Sequence, residues 1–268
     1  MRVICPSGQF DTVSAVASRR VFPAGDPAAQ TAQLVSEHTI TVTINDVPSF
    51  EIVCSPTGLE DLVLGRLLTE GVIHTPDEVD VLYICQDGFR ANVLLAGGKP
   101  VARPSAAPEK IPTCCTGNRT LADLFGASER PAQIVPLAYR QEWIFTLARE
   151  LTQDMPIYEA THGVHSALLM HRGEVLTRAE DIGRHNALDK VIGWALRHEV
   201  PLGECIVYSS GRIPVDMVRK VIRAGVPVFV SKAMPTRQAL ELAREFGLTL
   251  IAAARPDSMV LLAGAQED

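Results

Sequence analysis

The feature that most constrains this chain is the alternation of apolar strands with amphipathic helices over residues 186–253. Residues 186–196 place Ala187, Leu188, Val191, Ile192 and Ala195 on one helical face. Residues 205–208 read as a strand, 214–224 as a helix, 226–230 as an apolar strand, 237–246 as a helix and 248–253 as a last strand. Pro214 suits a first helical turn and Gly225 a C-terminal cap, while Thr236 and Gly247 bracket the following helix. Apolar strands joined by helices pair in parallel through right-handed crossovers, with helices on both faces. Residues 164–170 and 174–179 form a hairpin around Arg172-Gly173 ahead of them, so the sheet is mixed. A three-layer α/β/α domain is expected over residues 111–268.

The first hundred residues are less regular. Residues 38–44 alternate polar and apolar as a half-buried strand does, and Asn45-Asp46 turns the chain into a second strand at 50–53. Residues 59–68 form a helix with Leu59, Leu62, Val63 and Leu67 on one face, closed by Gly71. Residues 79–84 and 91–95 form a hairpin around Asp87-Gly88. This makes a small α+β domain, residues 1–110 with its linker. Residues 22–33, rich in Pro, Ala and Gly, read as a loose lead-in, residues 97–112 as a linker, and 140–153 as an amphipathic helix.

Composition narrows the function classes. A net charge of −6 over 268 residues gives no bulk bias toward nucleic acid. No apolar run approaches the roughly 18–20 residues of a membrane span, and the N-terminus lacks a secretion signal. Six cysteines are too few for a disulfide scaffold and fit a reducing compartment, so a cytoplasmic protein is expected. A cysteine that matters here is chemical rather than structural.

In open α/β sheets, ligands bind beyond the carboxyl ends of the strands. Three polar loops emerge there: Glu180 to Asn186 (Glu-Asp-Ile-Gly-Arg-His-Asn), Ser209-Ser210-Gly211-Arg212, and Ser231 to Thr236. Each runs into a helix N-terminus, whose free N–H groups favour an anion. Gly183 and Gly211 would let the backbone approach a ligand, Arg184 and Arg212 offer forked donors for phosphate, and Lys232 a point charge. One such loop is weak evidence; three on one edge point to a phosphorylated ligand such as a nucleotide. No P-loop or Gly-x-Gly-x-x-Gly string occurs. His162 and His165 lack a third metal-ligating neighbour, so strand histidines are the plainer reading. His185 stands at a helix start, where the dipole lowers its pKa.

Cys114 and Cys115 follow the linker. Adjacent Cα atoms lie about 3.8 Å apart, below the roughly 4.4 Å a relaxed disulfide needs. Either thiol is placed to carry a group; two incidental loop cysteines are an equal reading. Cys5, Cys54, Cys85 and Cys205 read as small packed hydrophobes, Cys5 excepted.

Thr161-His-Gly-Val-His-Ser-Ala-Leu168, the string from Glu180 through Asn186-Ala-Leu-Asp-Lys-Val-Ile-Gly193, Ser210-Gly-Arg212 and Leu64-Gly-Arg-Leu-Leu-Thr-Glu-Gly-Val-Ile73 resemble the FdhD family of formate dehydrogenase accessory sulfurtransferases, over about residues 37–255. The resemblance implies a cytidine-deaminase-like larger domain and a dimer. It implies a loop cysteine that takes persulfide sulfur from a cysteine desulfurase. The sulfur passes to a molybdenum (or tungsten) bis-guanine-dinucleotide pterin cofactor, the cargo destined for formate dehydrogenase. Cys115 matches the first cysteine of the family's Cys-Gly-x-Cys loop; the second falls on Asn118, with Cys114 as a substitute. His165, Asp181, Gly183, Arg184, His185, Asn186, Ser210, Gly211 and Arg212 match cofactor-site positions, with Ser231 and Lys232 beside them. Ala253, Ala254, Arg255, Pro256, Asp257 and Ser258 occupy a cofactor-contacting segment. The His-x-Glu and Pro-Cys-x-x-Cys strings of zinc deaminases are missing, so no zinc is expected. A cofactor-binding chaperone that moves no sulfur is the alternative.

Overall fold

The computed structural model describes residues 1–5, 10–98, 109–111, 131–151 and 153–264. The expected alternation is present. Strands β9 (His165–His171) and β10 (Glu174–Asp181) form the hairpin. They are followed by α4 (Arg184–Arg197), β11 (Cys205–Ser209), α5 (Val215–Arg223), β12 (Val228–Ser231), α6 (Arg237–Phe246) and β13 (Thr249–Ala252). The sheet order is β10-β9-β11-β12-β13-β14, where β14 is Val260–Ala263. Strands β11, β12 and β13 run parallel, and the other pairings are antiparallel, which makes the sheet mixed.

The two faces of this sheet follow from strand alternation. Leu168, Met170, Ile206, Tyr208, Val228 and Val230 pack with Ile144 and Leu147 of α2 (Gln141–Glu150). Ala167, Leu169, Val207 and Phe229 face the opposite way, toward α4 and α5. Thr236 caps α6 by accepting the Ala239 N–H at 3.2 Å, and Gly247 ends it at φ 74°.

The N-terminal sheet has the order β1-β6-β7-β4-β5-β8, with β1 (Arg2–Ile4), β4 (His38–Ile44), β5 (Val47–Cys54), β6 (Val79–Ile84), β7 (Arg90–Leu95) and β8 (Glu109–Ile111). Short β1 (Arg2–Ile4) extends it by parallel pairing with β6. Helix α1 (Leu59–Thr69) is buried nearly all round, between this sheet and α4. Gly65 and Gly193 mark the crossing: a Cβ on Gly193 would stand 1.9 Å from the Asp61 carbonyl oxygen, and one on Gly65 1.9 Å from that of Asp189. One continuous apolar core therefore joins both halves.

Three expectations are corrected. Residues 22–33 are not loose throughout, because β3 (Ala28–Val35) pairs with β2 (Val13–Arg20) in a two-stranded ribbon. Most residues of the two strands are Ala, Ser, Thr, Gln or Arg, too small or polar to announce a strand. The linker of residues 97–112 contains β8 (Glu109–Ile111), parallel to β5. Residues 248–253 do not hold the last strand, because β14 follows and pairs antiparallel with β13, and helix α3 (Pro156–Thr161) was not foreseen.

Candidate functional site

The topology sets five chain segments on one sheet edge. Parallel β11, β12 and β13 end there at Ser209, Ser231 and Ala252, and antiparallel β9 begins there at His165, opposite the end of β10 at Asp181. The loop after β10 is held from beneath. Asp181 is fully buried, and its carboxylate accepts hydrogen bonds from Ser55 N (3.0 Å), Gly183 N (2.9 Å) and Asn186 Nδ2 (2.8 Å), with Lys190 Nζ at 2.7 Å. Asn186 also donates to the Val53 carbonyl and accepts from Arg66 Nη2, both at 2.8 Å. Asp181 and Asn186 are thereby committed to shaping the loop. Ser231 is likewise fully buried and spent internally, donating to the Gly211 carbonyl at 2.7 Å and accepting from Ala233 N.

The room over both glycines is filled by the protein itself, contrary to the expectation that a ligand would enter it. A Cβ on Gly211 would lie 2.7 Å from Arg184 Cβ, and one on Gly183 3.0 Å from Asn186 Nδ2. Gly211 thus seats the Arg184 side chain.

Above this layer lie the groups with chemistry to offer. Ser210 Oγ accepts from Ser166 N at 2.9 Å and stands 3.3 Å from His165 Nδ1. His185 Nε2 is 2.7 Å from Asp216 Oδ2, which belongs to the first turn of α5. Burial first, then the Arg184 guanidinium, with smaller contributions from His185 and Arg212, pushes His165 below the ordinary histidine range. Burial also lowers His185, and Asp216 opposes this without reversing it. The expected direction for His185 holds; burial is its leading cause. Burial would raise Asp216, but the His185 contact, the Met217 N–H and Arg184 together bring it down to about 2.

Arg212 and Lys232 are exposed at the edge. Arg255 adds a fourth cation and ties its segment down by donating from Nη1 to the Lys232 carbonyl at 2.6 Å and the Ala254 carbonyl at 2.9 Å. Its own N–H reaches the Ser258 carbonyl at 2.7 Å, closing a turn that exposes Pro256, Asp257 and Ser258. Ala253 sits at φ 46°, and Ala254 is buried, its carbonyl accepting from Tyr208 OH.

His162 caps α3 at φ 49° with its ring edge-on to Tyr158, an arrangement that gives it a structural task. No group of three metal-ligating side chains occurs among the described residues. Cys54, Cys85 and Cys205 are buried. Cys5 is exposed, but burial of its sulfur and the Glu60 carboxylate 3.4 Å away push its thiol up to about 12. Burial, above all, raises Cys54 and Cys205 to about 12 as well. Cys114 and Cys115 lie outside the described residues.

Sequence reasoning missed Asp216, whose only signal was a carboxylate two residues after Pro214 at a helix start. It also missed the buried set under α4. There Arg66 Nε meets Asp189 Oδ2 at 2.8 Å, Thr69 donates to Asp189 at 2.7 Å, and Lys220 spans Glu70 and Asp189 at 2.7 and 3.1 Å. Such charges look like surface residues in a sequence.

The described residues thus form an α/β protein whose strand-end edge carries four cations and two histidines held below their ordinary range. The particular family follows from comparison. The FdhD/NarQ family model matches residues 35–267, and the chain belongs to that family. It is 33% identical to "Sulfur carrier protein FdhD" of Geobacillus kaustophilus over 82% of this chain and 83% of the relative. The protein of the same name from Listeria innocua is 30% identical, over 95% and 98% of the two chains. A crystal structure from Desulfotalea psychrophila, described as a formate dehydrogenase accessory protein, superposes with a TM-score of 0.74 at 25% identity, covering 95% of this chain and 98% of that one. No helix among the described residues is long and apolar enough to cross a membrane.

Proposed function

We propose that this protein is a sulfurtransferase of formate dehydrogenase maturation in the cytoplasm. Cys115, with Cys114 as its neighbour, accepts sulfur from a cysteine desulfurase: its thiolate attacks the outer sulfur of the desulfurase persulfide, and the desulfurase thiolate leaves. The sulfur then passes to the molybdenum or tungsten of a bis-guanine-dinucleotide pterin cofactor held at the sheet edge. The observation that carries this reading is the convergence of Arg184, Arg212, Lys232 and Arg255 with His165, His185 and Ser210 on one edge. Guanidinium forks and helix N-termini suit the dinucleotide's phosphates. The histidines, held below their ordinary range, add hydrogen bonds without adding charge. The described thiols support the assignment by exclusion, since three are buried and Cys5 is held far from its thiolate.

One observation favours a second reading, a chaperone that holds the cofactor and moves no sulfur: Asn118 stands where the family's second loop cysteine falls. Intact-mass spectrometry separates the two. After incubation with an active cysteine desulfurase and cysteine, the wild-type chain is expected to gain one sulfur atom, and Cys115→Ala to gain none. An adduct on neither the wild type nor Cys114→Ala would leave the chaperone reading.

A further inference from the structure

His185 stands in the first turn of α4, and its Nε2 lies 2.7 Å from Asp216 Oδ2 on the first turn of α5. Asp216 is ionised at neutral pH, and an ionised carboxylate only accepts hydrogen bonds. The proton of a neutral His185 ring therefore sits on Nε2, which leaves Nδ1 with its lone pair. Nδ1 meets no partner among the described residues and is not one of their buried polar atoms left without one, so it opens to solvent. The other histidine is not fixed in this way. His165 Nδ1 lies 3.3 Å from Ser210 Oγ, and a hydroxyl either gives or takes a hydrogen bond.

The charges around His185 are mixed. Asp216 and Lys220 come from α5, Arg184 stands beside it on α4, and His165 lies near it at the start of β9. Burial first, helped by Lys220 and Arg184, keeps the ring below the ordinary histidine range and so uncharged at neutral pH. A neutral ring with a bare Nδ1 has no proton to donate to a phosphate from that atom. It can take one, and Asp216 then stabilises the imidazolium that forms. Chain length lets a thiol reach the same neighbourhood. Strand β8 runs parallel to β5 with Ile111 opposite Ile52, so it heads for the end of β5, where Val53 and Ser55 meet the side chains of Asn186 and Asp181. Cys115 follows Ile111 by four residues, a reach of at most about 14 Å of chain.

We propose that Asp216 is a positioning residue that fixes His185 in its Nε2–H form, and that His185 Nδ1 takes the proton of the Cys115 thiol as sulfur is accepted. The S–H bond breaks with its electron pair left on sulfur, and an N–H bond forms at Nδ1. The thiolate attacks the outer sulfur of the desulfurase persulfide and a new S–S bond forms. The desulfurase cysteine leaves as a thiolate with the electron pair of the broken S–S bond, and Nδ1 gives its proton to water. The step rests on the sulfurtransferase reading, and the two arms of the test separate them.

The first arm reads the tautomer by long-range proton–nitrogen NMR of the full chain labelled at its histidine rings, with no partner added. Wild type and Asp216→Glu are expected to carry the His185 proton on Nε2. In Asp216→Asn the amide can donate to Nε2, so the Nδ1–H form should appear. A wild-type proton on Nδ1, or a tautomer that Asp216→Asn leaves unchanged, would overturn the proposal. The second arm follows sulfur uptake by intact mass with an active cysteine desulfurase and cysteine. Asp216→Asn, checked for unchanged circular dichroism, should take up sulfur at least about tenfold more slowly than wild type at pH 7. The ratio should close toward pH 9, where a thiol of ordinary pKa, about 8.5, ionises unaided. Asp216→Glu should recover most of the rate. Equal rates at pH 7, or a deficit that persists unchanged at pH 9, would refute the proton role while leaving the relay standing. A wild type that gains no sulfur would defeat the relay and this step with it.

Discussion

Replacing Gly193 by alanine pits two effects of opposite sign. Within a helix, glycine costs about 1 kcal/mol relative to alanine, so local propensity predicts stabilisation. The crossing predicts the reverse. The new Cβ would lie 1.9 Å from the Asp61 carbonyl oxygen and 2.7 Å from Gly65 N, both backbone atoms that no rotamer can move. Ordinary carbon–oxygen contact is about 3.3 Å, so α1 and α4 must part by about 1.4 Å. That separation stretches Arg66 from Asp189 and Asn186, and Thr69 from Asp189, contacts now at 2.7–2.8 Å in a buried site. Overpacking costs about 1–3 kcal/mol, and loosening buried charges adds to it, so a net loss of about 3 kcal/mol is expected. At ~2–4 °C per kcal/mol for a chain of this size, the melting temperature should fall by about 6–12 °C. Thermal and urea unfolding of Gly193→Ala and wild type measure this directly. A variant as stable as wild type, or more stable, would refute the close crossing.

Further expectations concern charge and thiols. Burial would raise Glu70, but Lys220 and Arg66 overcome it and hold its carboxyl at about 2, well below the ordinary glutamate value of about 4.5. A depressed carboxyl contributes stability above its unfolded pKa and loses it as pH falls, so about 3 kcal/mol should vanish between pH 4.5 and 2. Glu70→Gln should flatten urea-melt stability across that window, and an unchanged slope would show that Glu70 is not held ionised. Asp216→Asn removes the group that raises His185, so the imidazole should titrate lower still by NMR; a higher titration point would contradict the contact. Iodoacetamide at neutral pH should modify the tryptic peptide containing Cys114 and Cys115 before any peptide containing Cys5, Cys54 or Cys205; prior labelling of Cys5 would count against the thiol assignment.

Elements with strong periodicity were legible. The strand of residues 38–44 and the helix of residues 237–246 were read with the bounds they have, the first by strict alternation and the second by its Thr and Gly caps. The ribbon was not legible, because a mostly small or polar run open to solvent on both faces leaves no period. The edge position of Arg184, His185, Ser210 and Arg212 followed from the βα loop rule alone. Which polar residues face outward did not follow, since burial of a charge depends on partners from distant segments: Asp181 meets Ser55, and Asn186 meets Arg66.

This division explains why the string from Glu180 to Lys190 is so distinctive. Glu180 caps the start of α3 through Ile157 and Tyr158 N–H groups, Asp181 and Lys190 pair beneath the loop, and Asn186 and Asp189 receive Arg66. Arg184 and His185 are the members of the string turned toward the edge chemistry. Most of its polar residues thus build the platform. The same contacts bind the N-terminal half to it, since Ser55, Arg66, Thr69 and Glu70 come from β5, α1 and their flanks. A change in α1 can therefore displace His185 and Arg184 without touching either, so the N-terminal half acts as part of the site's foundation.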